Sequence, residues 1–223
     1  AGRHAETIYD LGNAARFMAR VSGEEPDNLE LRERTFLLTA SAGFIEQAAA
    51  LAGPLEGEGD VGVAASLVLL ADDMAKGDED AALARLDALP EDGLNRLLGP
   101  VLRAWALYGR GDGVDAALAQ LEPVRAEGGA GTMADMQAGL LLDLAGRAAE
   151  ARQAFEEAMA ASDRPPFRLV QAYVSLLRRQ GEGEAANRAL RDYYERNPNS
   201  ELVRAELERL QADDAAPPIV LSA

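Results

Sequence analysis

Apolar residues occur along this chain in runs of helical spacing, and short polar breaks between the runs recur at a fixed interval. A glycine marks each break. Glycines stand at Gly43, Gly77, Gly111, Gly146 and Gly181, separated by 34, 34, 35 and 35 residues, and Tyr9 lies 34 residues before the first. Five residues after each comes an alanine: Ala14, Ala48, Ala82, Ala116, Ala151 and Ala186. The glycine suits a chain reversal after a helix, where a positive φ is needed. Acidic or small polar residues after it favour the start of the next helix, and the alanine lets two helices approach closely. Each block of about 34 residues is therefore expected to fold as two antiparallel helices.

The expected pairs are 1–8 with 10–22, 28–41 with 44–55, 61–75 with 78–88, 93–109 with 112–126, 132–145 with 148–161, and 165–180 with 182–196. A last helix, 199–212, carries Leu202, Leu207 and Leu210 at helical spacing and is expected to cap the final pair, whose apolar face needs cover. Gly99-Pro100 predicts a kink or a late start in helix 93–109, because proline lacks the backbone donor and crowds the preceding turn. Residues 213–223, with Pro217-Pro218 followed by Ile219-Val220-Leu221, read as a tail or linker. Both ends read as cuts in a longer repeat protein.

These residues resemble the tetratricopeptide-repeat family. Its pattern adds a small residue in the first helix of each pair, here Gly2, Ala104 or Gly139. It has a large apolar residue four after the alanine (Met18, Leu86, Phe155, Leu190) and a closing proline (Pro26, Pro198). The match covers residues 1–198 as about six repeats, at 1–28, 29–62, 63–96, 97–131, 132–166 and 167–200, the first lacking most of its leading helix. The middle repeats depart from it. Phe36 and Leu70 fill the small position, and Gln120 stands where a large apolar residue belongs. The resemblance implies an all-α, right-handed α-solenoid over 1–212 with a C-terminal capping helix.

Composition agrees with an all-α chain. Hydrophobic residues make up 48% and aromatic residues only 5%, so alanine and leucine supply most of the core. The net charge is −16, all of it carried by residues 1–163, while residues 164–223 balance nine basic against nine acidic side chains. Such a surface repels phosphate and disfavours nucleic acid or anionic lipid as a partner. Lys76 is the one lysine, which, with the alanine richness, points to a GC-rich bacterial genome. The sequence holds no cysteine, so disulfides, thiolate metal sites and a cysteine nucleophile are excluded. A cytoplasmic and a periplasmic or exported setting both remain open.

Catalytic constellations are missing. His4 is the only histidine and has no second histidine or cysteine with which to bind a metal or activate a nucleophile. No phosphate loop or nucleophile elbow is present. Gly57, between Glu56 and Glu58, belongs to an acidic loop that repels phosphate. Asp72-Asp73 and Asp78-Glu79-Asp80 lack the ligand spacing of a calcium loop. No cofactor, metal or catalytic residue is expected, and direct membrane insertion is not.

In the family that the chain resembles, first helices line a concave groove. The resemblance implies a lining of Leu37, Leu67, Ala71, Met74, Leu98, Val101, Trp105, Tyr108, Met133, Met136, Leu140, Arg168, Arg178 and Arg179, apolar in the middle and basic at the far end. Trp105 and Tyr108 are anchors of the kind enriched in binding hot spots, and the methionines are adaptable contacts or core. Arg103 falls where the register wants a core residue, so Trp105 either faces the groove or is turned into the core. The positions of the family's carboxylate clamp hold Glu33, Leu37, Leu67, Ala71, Val101 and Trp105, which provide no cationic clamp. The expected function is a non-enzymatic scaffold that binds a peptide segment or partner protein. Self-association and carriage of an apolar ligand are the alternatives.

Overall fold

A computed structural model of the chain describes residues 11–25, 27–57, 59–127, 129–198, 201, 204, 205, 207 and 208. Among them there are helices and turns and no strand. The helices are α1 (Leu11–Glu24), α2 (Leu29–Ser41), α3 (Ile45–Ala52), α4 (Gly59–Lys76), α5 (Glu79–Ala88) and α6 (Asn95–Arg110). They continue with α7 (Val114–Ala126), α8 (Gly131–Leu144), α9 (Ala148–Ala160), α10 (Phe167–Arg179) and α11 (Gly183–Arg196). A short 3₁₀ turn, Gly53–Leu55, follows α3. Each boundary lies within two residues of its expected place except the end of α3, which stops three residues early at Ala52, where the 3₁₀ turn takes over. The expected helix 1–8, Gly2, His4, Pro26, Leu202, Leu210 and the tail 213–223 lie outside the described residues. Of the expected cap, residues 201, 204, 205, 207 and 208 are helical.

The five glycines all sit at hairpin bends with positive φ, from 73° at Gly77 to 93° at Gly111. Each bend makes the same two backbone bonds. At the last, Gly181 N–H donates to Arg178 O at 3.0 Å and Glu182 N–H to Leu177 O at 2.9 Å. This Schellman pairing satisfies carbonyls that a helix end leaves bare, and it needs the left-handed conformation that glycine adopts without strain. Side-chain caps begin two of the helices. Asn28 Oδ1 accepts from Leu31 N–H at 3.0 Å, and Asp78 Oδ1 from Ala81 N–H at 3.1 Å.

The chain divides into two compact units, residues 1–95 and 96–223. In the first unit, α1 packs on α2, and α2 to α5 form two hairpins. Phe36 is fully buried among Ala48, Ala52, Leu55 and Ala65. The bulk expected on the second helix has moved to the first, and alanine at 52 makes room for it. Leu70 is likewise buried. Arg85 joins three elements, donating to Glu56 after the 3₁₀ turn at 2.5 Å and to Asp73 of α4 at 2.6 Å.

The second unit holds hairpins α6–α7, α8–α9 and α10–α11. Ala151, Phe155, Ala186 and Leu190 are fully buried, as the repeat pattern requires. The fourth repeat corrects that pattern by one residue. Gly113, at φ 92°, precedes α7, which starts three residues after its bend glycine, whereas the other second helices start two after theirs. The core alanine is therefore Ala117 and not Ala116, and Leu121, fully buried, fills the place where Gln120 had seemed a departure. Pro100 causes no break: α6 begins at Asn95 and runs through it.

Candidate partner-binding face

In the second unit the first helices α6, α8 and α10 are linked by polar bonds that reach one repeat ahead. Trp105 of α6 donates its indole N–H to Gln137 Oε1 of α8 at 2.8 Å. Arg179 of α10 donates to Asp143 of α8 and, at 2.7 Å, to Ser175 Oγ. The first helices of this unit also carry side chains of mixed chemistry. Tyr108, Met133, Met136 and Leu140 are half-buried and pack against the core while leaving part of their surface open. The last turn of α10 adds Arg178 and Arg179. Arg178 Nη1 is buried and, among the described residues, has no hydrogen-bond partner.

The second helices are tied together differently. Arg147 reaches Asp115 at 2.5 Å, and Arg152 reaches Glu182 at 2.6 Å, each about one repeat away. Each such exposed pair is worth about 0–1 kcal/mol, so their effect is on register more than on stability. The hydrogen bond and charge of Arg147 hold the Glu150 carboxyl below its ordinary range. Among the described residues no group of three or more His, Cys, Asp or Glu could hold a metal ion, and no helix is long and apolar enough to cross a membrane.

No family model matches the chain, and no curated protein matches its sequence. Solved structures do match it. A tetratricopeptide repeat protein of Parabacteroides merdae is 16% identical, with a TM-score of 0.66 over 94% of this chain and 81% of its own. A thermophilic protein of the same repeat class from Thermus thermophilus is 19% identical, with a TM-score of 0.59 over 82% of this chain and 99% of its own. The chain has the tetratricopeptide-repeat fold. A chain of the APC/C hetero-tetramer Cut9–Hcn1 is also similar, at 14% identity and a TM-score of 0.53; 94% of this chain is covered but 41% of that one.

Within this tetratricopeptide fold the expected lining residues fall into three environments. Leu37, Ala71, Arg168 and Arg179 are exposed. Leu67, Met74, Leu98, Trp105, Tyr108, Met133, Met136, Leu140 and Arg178 are half-buried. Val101 is only 7% exposed and belongs to the core, so it offers a partner almost no surface. Leu37, Leu67, Ala71 and Met74 stand on α2 and α4 of the first unit; the others stand on α6, α8 and α10 of the second. Trp105 matches neither of its two expected placements fully: its ring rests on the core while its N–H is taken by Gln137. The sequence reading missed Gln137. Its signal was its distance from Trp105, 32 residues, close to one repeat length.

Proposed function

We propose that the protein is a non-enzymatic scaffold that holds a peptide segment or partner protein against the first-helix face of α6, α8 and α10. The observation that carries this reading is that Tyr108, Met133, Met136 and Leu140, on α6 and α8, rest on the core half-buried and keep part of their surface open. Apolar side chains that keep open surface beside a satisfied core gain by being covered. The fold supports the reading, since solenoid hairpins present long surfaces built from neighbouring helices. One structural neighbour is itself part of a hetero-tetramer.

The test is a paired pull-down with wild-type protein and a Met136→Arg, Leu140→Arg variant whose helix content matches by circular dichroism. A protein retained by the wild type and lost by the variant supports the face. Retention of every wild-type partner by the variant removes it.

A further inference from the structure

The second unit has another opening, on a different side of α10. A cavity of about 340 Å³ lies between α9, α10 and α11. Tyr173 lines it from α10, and Tyr173 is two residues from Ser175, so at 100° per residue it points away from the face that carries Arg179. Met159 of α9 and Tyr193 of α11 supply the other half-buried walls.

Both tyrosines are fixed before any ligand arrives. The Tyr173 hydroxyl donates to Glu156 Oε1 at 2.8 Å. Tyr193 stacks on Phe167 with ring centres 5.7 Å apart. A preorganised aromatic wall loses little freedom on binding.

The rim is a stripe on α11. Arg188, Asp192 and Arg196 follow one another at four-residue intervals, line the cavity and are exposed. Arg152 also lines it, but Glu156 and Glu182 already take its guanidinium. Among the described residues Arg188 and Arg196 have no ion pair, although Asp192 stands one turn from each. Arg188 and Arg196 thus face one carboxylate on α11, whereas Arg152 is shared by two, so the cationic part of the rim is its α11 edge.

We propose that this cavity binds a protein segment in which an aromatic side chain stands next to carboxylates. The ring enters between Met159, Tyr173 and Tyr193, where aromatic and sulfur contacts are favourable. The flanking carboxylates take charge-assisted, bidentate bonds from Arg188 and Arg196. The volume matches the lower end of ligand sites, enough for one such side chain and not for a large cofactor. A polyanion such as nucleic acid is disfavoured by the charge of the rest of the molecule.

The probe is an acetylated, fluorescein-labelled peptide of sequence Gly-Asp-Phe-Glu-Gly, read by fluorescence anisotropy with the intact chain. Its amide analogue, Gly-Asn-Phe-Gln-Gly, is the control. Binding of the acidic peptide with Kd of about 100 μM is expected, a modest affinity of the order a small site can give. Loss of about tenfold is expected for the amide peptide and for Arg188→Gln with Arg196→Gln, since either change removes the charge assistance of these hydrogen bonds. Arg191→Gln, which removes an exposed arginine that does not line the cavity, should bind as the wild type does. No binding at 1 mM peptide, equal binding of both peptides, or an unchanged Kd in the double variant overturns the proposal. So does binding that survives the double variant and disappears in the Met136→Arg, Leu140→Arg protein, which would place the peptide on the other face and leave the scaffold reading standing.

Discussion

The ring of Phe155 in α9 lies so close to Gly139 in α8 that a Cβ at 139 would come within 2.5 Å of it. Phe155 is fully buried, so the ring has little room to retreat. Alanine at 139 improves helix propensity by about 1 kcal/mol, but overpacking a filled core costs about 1–3 kcal/mol. Gly139→Ala should therefore destabilise the second unit by about 1 kcal/mol in urea unfolding. Adding Phe155→Leu should cost less in that background than in the wild type, because the smaller side chain relieves the clash. A Gly139→Ala protein more stable than the wild type would contradict this packing.

The one-residue shift in the fourth repeat has a measurable consequence. Leu121 is fully buried, while Gln120 is only half-buried. Leu121→Ala should cost about 2–5 kcal/mol, the usual range for a large apolar core residue. Gln120→Ala should stay within about 0.5 kcal/mol. Denaturant midpoints of the two variants decide it, and the reverse order would restore the unshifted register.

Most of the hairpin plan was legible because it rests on backbone geometry that few residues satisfy. Gly43, Gly77, Gly111, Gly146 and Gly181 are such residues, and all five take positive φ. Alanine spacing was legible for the same reason wherever the bend had its usual length. It failed at Ala116 because Gly113 lengthened the bend, and one added residue rotates every later side chain by about 100°. Phe36 misled because packing conserves volume across a pair of helices and not at a single position: Ala52 had already made room for it. Lining residues were harder still. Val101 reads as groove by position, yet neighbouring helices bury it, and whether a half-turn of helix is covered depends on contacts far away in sequence. The cavity beside Tyr173 was not read at all, since its walls come from three helices.

Trp105 is the only tryptophan in the chain, so its fluorescence reports on one place. Its ring packs against the core and its N–H is bonded to Gln137 at 2.8 Å. Gln137→Leu should leave the indole N–H without its acceptor and shift the emission maximum, with a stability loss of about 1 kcal/mol. Trp105→Phe should cost a similar amount by the same bond, so the double variant should lose less than the sum of the two. Strict additivity, measured by urea unfolding, would mean that the bond contributes nothing.

The hydrogen bond between Tyr173 and Glu156 sets two opposite pH dependences. Burial, and then the bond to Glu156, pushes the Tyr173 phenol up from 10.0 to about 12. A raised pKa means that the folded chain holds this proton more tightly than the unfolded one. Its contribution is therefore complete below about pH 10 and lost as pH rises through about 12. The Glu156 carboxyl moves the other way. The Tyr173 hydrogen bond first, and then Arg152, lowers it. Its contribution is present above the ordinary carboxylate value of 4.5 and fades as pH falls below it. In an absorbance titration at the phenolate band, Tyr173 should ionise in a late step near pH 12 while the helical signal persists. Tyr173→Phe should remove that late step, and Glu156→Gln should bring it to lower pH without restoring the ordinary value, because the burial remains. Ionisation of Tyr173 near pH 10 in a still-folded chain would show that the phenol is neither buried nor bonded to the carboxylate.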